Sequence, residues 1–242
     1  MHGSECCPEW NLALFNTGVP FQALGCRRDS HRTLTFGRSR DTYRRRGVEM
    51  NWTLGFVGCG VMAEVMIAGI LDEGLLKPDQ IMASNRRDTR GVELREKYGI
   101  RTTTDNAEVV KSSDVVVLSV KPQTLAKVMA QIEGVCSPDT TVLSIVAGAS
   151  MSAIQSGLKH DRVARCMPNL PCRIREGMTV WAASDRIDEQ DEARVEGVLG
   201  VMGGVVRVPD EDEALVADDA CVTLDPVGFD QDVTDEAAVE IQ

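Results

Sequence analysis

Gly55-Phe56-Val57-Gly58-Cys59-Gly60-Val61-Met62-Ala63 is the stretch on which the reading of this chain turns. It holds G-x-G-x-x-A between an apolar run, Thr53 to Val57, and a segment where Met62, Val65, Met66, Gly69 and Ile70 recur at helical spacing. A strand, a tight turn and an amphipathic helix in that order form the fingerprint of a dinucleotide-binding βαβ unit. Gly58 permits the turn, Gly60 lets the backbone approach a pyrophosphate, and Ala63 is small enough for close helix–strand packing. The amides of Val61 and Met62, in the first helical turn, lack intrahelical acceptors and face an anion at the positive end of the helix dipole. The glycines alone would equally describe an ordinary turn; the flanking strand and helix decide for the dinucleotide.

Outward from this unit, strand and helix signals alternate to about Pro209, the pattern of a parallel sheet covered by helices. Strands are expected at Gln80 to Ser84, Ile100 to Thr103, Val115 to Val120, Thr141 to Val146, Val163 to Met167, Met178 to Ala182 and Val205 to Val208. Between them fall a helix ending at Tyr98 before Gly99, a helical turn after Asp105-Asn106, and a helix led by Pro122, where a missing N–H costs nothing. Two more run from Ser150 to Leu158 and from Asp188 to Met202, the second with Glu189 and Asp191 complementing its dipole. The expected fold class is α/β, a Rossmann-type doubly wound and mostly parallel sheet.

Composition agrees with that class and removes others. With 43% hydrophobic but only 4% aromatic residues, the core must be built from Val, Ile, Leu, Met and Ala, the palette of buried parallel strands. A formal charge of −11 argues against nucleic-acid binding, which needs a basic surface. The eight cysteines form no C-x-x-C pair, so free thiols in a reducing compartment are expected, with no metal site. Cys59 is a candidate oxidation-sensitive thiol, but the plainer reading of it is an unpaired core or loop residue. His2, His31 and His160 are too scattered for a metal or catalytic role, and the longest apolar runs are strand-length, far short of a membrane span.

Three zones follow. Residues 1–49 form an irregular, Arg-rich extension, with Arg44-Arg45-Arg46 just before Met50; its Glu and Asp residues spoil a transit-peptide pattern. It reads as a targeting segment or as an over-long reading of the gene that starts at Met50. Residues 50–209 are the nucleotide-binding domain. Residues 210–242 carry about a dozen acidic side chains and no Lys or Arg, and read as an unfolded acidic tail. A cytoplasmic location is expected, with organellar import through the Arg-rich segment as the alternative.

At the end of the second strand, where an acidic residue would favour NAD, stands Ser84-Asn85-Arg86-Arg87. A hydroxyl, an amide and two guanidinium groups suit a 2′-phosphate, so NADP(H) is preferred over NAD(H), with Asp88 dissenting. Further segments sit at expected strand ends: Ser119-Val120-Lys121-Pro122-Gln123, Ser144-Ile145-Val146-Ala147-Gly148-Ala149, and Arg165-Cys166-Met167-Pro168-Asn169-Leu170-Pro171-Cys172 leading to Arg175-Glu176-Gly177-Met178. Together with G-F-V-G-C-G-V-M-A-E at Gly55 to Glu64, and in this order, they closely resemble the pyrroline-5-carboxylate reductase family over Trp52 to Pro209.

The resemblance implies that Val57, Gly58, Cys59, Gly60, Val61 and Met62 hold the pyrophosphate, and that Asn85, with Arg86 or Arg87, sits at the adenosine ribose. It implies a cofactor contact at Asn106, and a nicotinamide half lined by Ser119, Val120, Lys121 and Pro122 and by Ile145, Val146 and Ala147. Leu170 departs from the Thr usual in the family. The implied reaction is hydride transfer from NADPH to the C=N carbon of pyrroline-5-carboxylate, giving proline, with reacting atoms held about 3–3.5 Å apart. In the family the second wall of that site, and the homo-oligomer interface, come from a helical domain opened by a Ser-Gly-Ser-Gly-Pro-Ala-Tyr-like segment. Nothing from Ala217 onward matches it, so a truncated chain and a monomer are expected. Lys121 is the most tempting catalytic candidate, yet more plausibly positions cofactor or reaches solvent, and no catalytic residue is assigned. The alternatives are a nucleotide-binding fragment without catalysis and another NADP-dependent imine or hydroxyacid oxidoreductase.

Overall fold

Val115-Val116-Val117-Leu118 is buried at every position, and its side chains alternate between two apolar layers, one on each side of a sheet. That is the signature of a strand covered on both faces. The structure, a computed structural model, describes residues 51–209 together with the backbone of Leu34–Thr35. The targeting, tail and monomer expectations rest on segments outside the described residues.

In chain order the elements are β1 (Leu34–Thr35), β2 (Leu54–Val57), α1 (Val61–Asp72), β3 (Ile81–Ser84), α2 (Asp88–Tyr98), β4 (Arg101–Thr103), α3 (Asn106–Lys111) and β5 (Val115–Leu118). They continue with α4 (Pro122–Ile132), β6 (Thr141–Ser144), α5 (Met151–Leu158), β7 (Val163–Pro168), β8 (Gly177–Ala183), α6 (Glu189–Gly200) and β9 (Gly203–Arg207). Short 3-10 turns at Pro78–Gln80 and Leu170–Ile174 complete them.

Across the sheet the order is β1-β9-β8-β7-β6-β5-β2-β3-β4. From β4 to β7 every pairing is parallel, and β2 lies between β3 and β5, so the chain reverses its direction of travel across the sheet beside β2. An open sheet of this kind receives ligand outside its strand C-termini at that reversal. The expected doubly wound class is therefore what the chain adopts. β8 runs antiparallel to β7 and parallel to β9. Leu34 and Thr35, in the segment that lacks periodicity, pair antiparallel with Val206 and Val205.

Helices α1, α2 and α6 cover one face, where Met66, Ile67, Ile70, Leu94, Val195 and Val198 meet Leu54, Phe56, Val115 and Val117. Helices α3, α4 and α5 cover the other, where Val109, Leu125, Val128, Ile132, Ile154 and Leu158 meet Val57, Val116, Leu118 and Val142. Each such aliphatic side chain contributes roughly 1.5–3 kcal/mol on full burial. Gly69 lets α1 and α6 approach closely: a Cβ there would lie 2.8 Å from Val201 Cβ. The helix ends follow their sequence signals. Asp105, Ser150 and Asp188 cap by accepting from the amides of Ala107, Ala153 and Asp191, and α2 stops where the Gly99 amide donates to the Arg95 carbonyl.

Candidate functional site

The register of the parallel strands sets the site. Val57 pairs with Ser84 on one side and with Leu118 on the other; Ser84 pairs with Thr103, and Leu118 with Ser144. These strand ends form one row, so the segments that follow them emerge on one edge of the sheet. The turn at 58–62, residues 85–87, Asn106, residues 119–122 and residues 145–147 are thereby gathered from five separate stretches of chain.

At the centre Gly58 has φ +83, in the left-handed region, and a Cβ on it would stand 2.7 Å from Val120 Cγ1. A Cβ on Gly60, by contrast, would meet nothing within 4 Å, so open space lies where a ligand would approach. Gly60 caps α1 without a side-chain bond, and among the described residues no acceptor stands on the amides of Gly60, Val61 and Met62. The two preceding amides are already engaged: Gly58 N–H donates to Ser84 Oγ at 3.4 Å and Cys59 N–H to Asn85 Oδ1 at 3.2 Å. Of the six residues expected to hold a pyrophosphate, the last three thus carry the available donors. Val57 is fully buried, and its carbonyl accepts from the Ser119 amide at 3.1 Å.

On the β3 side, Ser84 is not the exposed hydroxyl the sequence suggested. It is fully buried and donates to Asn106 Oδ1 at 2.6 Å, because its register beside β2 turns the side chain inward. Asn106 in turn donates through Nδ2 to Gln131 Oε1 at 2.7 Å, so both ends of its carboxamide are bonded within the protein. Asn85 uses its oxygen on the turn and leaves Nδ2 buried without a protein partner. Arg86 and Arg87 are exposed, and among the described residues no carboxylate pairs with either. Asp88, the residue that spoke for NAD, faces its own helix, where Arg95 Nη2 lies 3.5 Å from Oδ1.

On the β5 and β6 side, the Ser119 hydroxyl donates to the Gly58 carbonyl at 2.5 Å. Lys121 caps α4 with its carbonyl, which accepts from the amide and the hydroxyl of Thr124, while its side chain is exposed; Pro122 takes the first helical position. The Ile145 amide is spent on the Leu118 carbonyl and the Val146 amide on Ser144 Oγ; Val146 is buried and Ala147 exposed. The residues at this edge are thus hydrogen-bond donors and apolar walls, suited to a ligand that brings its own chemistry.

Sequence reasoning passed over Glu64, Arg90, Lys97 and Tyr98. Glu64, in the first turn of α1, accepts from Arg90, from Lys97 Nζ at 3.0 Å and from Tyr98 OH at 3.0 Å, tying α1 to α2. Burial would raise the Glu64 carboxyl, but the bonds from Lys97, Arg90 and Tyr98 together hold it below the usual glutamate range. Beside it, burial pushes the Cys59 thiol up to about 12, against a smaller opposing pull from Arg90. Only 4% exposed and held protonated, Cys59 is a core thiol, which removes the oxidation-sensitive reading. His160 is likewise structural, its Nε2 2.6 Å from the Thr140 carbonyl. Among the described residues no group of three metal-ligating side chains assembles, and no helix is long and apolar enough to cross a membrane.

Residues 53–148 match a family model described as NADP oxidoreductase, coenzyme F420-dependent. Over 161 residues the chain is 35% identical to a pyrroline-5-carboxylate reductase of Synechocystis sp., covering 66% of this chain and 60% of that protein. It is 30% identical to the pyrroline-5-carboxylate reductase of Arabidopsis thaliana, covering 66% and 58%. Among solved structures, a pyrroline-5-carboxylate reductase from Coxiella burnetii aligns with a TM-score of 0.64 at 29% identity, covering 67% of this chain and 61% of that one. A prephenate dehydrogenase from Aquifex aeolicus, at 17% identity and a TM-score of 0.55, shares the fold. The chain thus spans about 60% of the length of the relatives it matches.

Proposed function

We propose, for a chain that carries the dinucleotide-binding domain of the pyrroline-5-carboxylate reductase family, that it binds NADP(H) and serves the reduction of 1-pyrroline-5-carboxylate to proline. The observation that carries this reading is the row of strand ends beside β2, which presents at the head of α1 the amides of Gly60, Val61 and Met62, unbonded among the described residues.

The residues present fit a phosphorylated dinucleotide. Three amides converge where the helix dipole is positive, and Gly60 leaves the approach open. To one side, the buried Asn85 Nδ2 and the exposed guanidinium groups of Arg86 and Arg87, which pair with no carboxylate among the described residues, offer donors for a ribose 2′-phosphate. Asp88 Oδ1 lies 3.5 Å from Arg95 Nη2. To the other side we assign Val120 to Pro122 and Ile145 to Ala147 as the wall against the nicotinamide, with the Ser119 hydroxyl turned away to the Gly58 carbonyl. When bound, the cofactor would supply the hydride; Gly60, Val61 and Met62 would anchor its diphosphate, Arg86 and Arg87 would select its 2′-phosphate, and Val120 to Pro122 with Ile145 to Ala147 would line the nicotinamide side.

The test is NADPH oxidation followed by absorbance, with pyrroline-5-carboxylate as substrate. Substrate-dependent oxidation yielding proline is the expected result. Binding of NADPH without turnover would confine the chain to nucleotide binding, and turnover only with a different imine or hydroxyacid would replace the substrate.

A further inference from the structure

Gly58 is held from both of its neighbouring strands. From β3, Ser84 Oγ accepts from its amide, and Asn85 Oδ1 accepts from the next amide, that of Cys59. From beyond β5, Ser119 Oγ donates to its carbonyl at 2.5 Å, across 61 residues of sequence. The Ser119 amide also donates to the Val57 carbonyl at 3.1 Å. The peptide units on either side of the left-handed Gly58 are therefore fixed by groups belonging to both halves of the sheet.

We infer that Ser119 is a positioning residue for diphosphate binding, acting through the Gly58 carbonyl rather than by touching the ligand. The inference rests on the reading of this edge as a dinucleotide site and deepens it. A peptide that can rotate about a glycine carries the following amides with it. Glycine imposes no steric barrier of its own, so the orientation of the Gly60, Val61 and Met62 amides must be set by what holds the turn. Ser84 and Asn85 restrain the N–H side of that peptide run, and the Ser84 contact, at 3.4 Å, is long. Ser119 supplies the short bond on the carbonyl side. Its hydroxyl has one hydrogen, and the nearest acceptor for it is Gly58 O, with Val57 O at 3.5 Å. That hydrogen is unavailable to a ligand while the turn is formed. An unfixed turn would have to be ordered at the moment of binding, and affinity falls by the cost of ordering.

The experiment compares the unsubstituted chain with Ser119→Ala and Ser119→Thr, titrated with two ligands. NADPH carries the diphosphate; adenosine 2′-monophosphate carries the ribose phosphate and no diphosphate. Loss of one hydrogen bond is expected to weaken NADPH binding about fivefold to tenfold in Ser119→Ala. Binding of adenosine 2′-monophosphate should stay within about twofold, and Ser119→Thr, which keeps the hydroxyl, should restore NADPH affinity. Thermal unfolding of each variant registers any general loss of structure. Equal weakening of both ligands, or an unchanged NADPH dissociation constant in Ser119→Ala, overturns the positioning role while leaving the dinucleotide reading in place. No saturable NADPH binding by the unsubstituted chain overturns both.

Discussion

The hydroxyl of Ser84 lies 2.6 Å from the carboxamide oxygen of Asn106, and the amide nitrogen of Asn106 lies 2.7 Å from Gln131 Oε1. A line of hydrogen bonds therefore runs from the exposed side of α4, through the first residue of α3, to the fully buried end of β3. Replacing Asn106 by Ala leaves Ser84 with only the Phe56 carbonyl, 3.3 Å away, as acceptor. The expected cost is about 1 kcal/mol, read as a lower urea midpoint at unchanged slope. Gln131→Ala breaks only the exposed link and should cost less than half as much. Equal losses would show that the buried and exposed links do not differ.

Selection of the 2′-phosphate is expected to reside in Arg86 and Arg87. Both are solvent-exposed, so Arg86→Ala with Arg87→Ala should change stability by no more than about 0.5 kcal/mol. A charge-assisted bond to phosphate contributes about 1.5–3 kcal/mol, so the NADPH dissociation constant should rise tenfold or more while that for NADH stays put. Parallel titrations with the two nucleotides check this; an equal change for both would assign the guanidinium groups to something other than selection.

Glu64 makes stability depend on pH in a defined window. Its carboxyl is held below the usual range in the folded chain, so the folded state binds its proton later than the unfolded state does. Its contribution is therefore present above the ordinary glutamate value, about 4.3, and is lost as pH falls through the lower folded value. Glu64→Gln should be less stable than the parent at pH 7, and the gap should close below about pH 4. Urea unfolding across that range is the measurement, and a gap constant with pH would contradict the account.

Much of this site is legible because its parts are local. G-x-G-x-x-A between an apolar strand and a 3.6-period helix is contained in one short stretch, and Asp105, Pro122, Ser150 and Asp188 announce their helices at the residue where each begins. The direction of β8 was also within reach, since the eight residues between Pro168 and Gly177 are too few for a parallel crossover. What sequence could not show depends on register. Ser84 looked like a ligand-facing hydroxyl until its pairing with Val57 turned it inward, and Ser119 meets Gly58 only because β5 lies beside β2. Glu64 reaches Arg90, Lys97 and Tyr98 through the packing of two helices, for which no spacing along the chain gives a signal.

At the opposite end of the strands Asp191, 2% exposed, accepts from Thr141 Oγ1 at 2.7 Å, from Arg194 Nη1 at 2.7 Å and from Arg162. Asp191→Ala would leave the largely buried Arg194 without its carboxylate and Arg162 with Asp188 alone, and breaking such a network typically costs about 3–5 kcal/mol. That is a large share of a domain's stability, so the variant should unfold at much lower urea or accumulate poorly. Folded material should still bind NADPH with parental affinity, because Asp191 touches none of the ligand-facing segments. A variant as stable as the parent would remove the network from the account.

The claim on which the rest depends is that the amides heading α1 grip a dinucleotide diphosphate. Fluorescence titration of the purified chain with NADPH tests it most directly. Saturable enhancement of nicotinamide fluorescence, reversed by excess NADP⁺ and weaker with NADH, is the predicted result; a signal that rises linearly with nucleotide and is unaffected by competitor would contradict it.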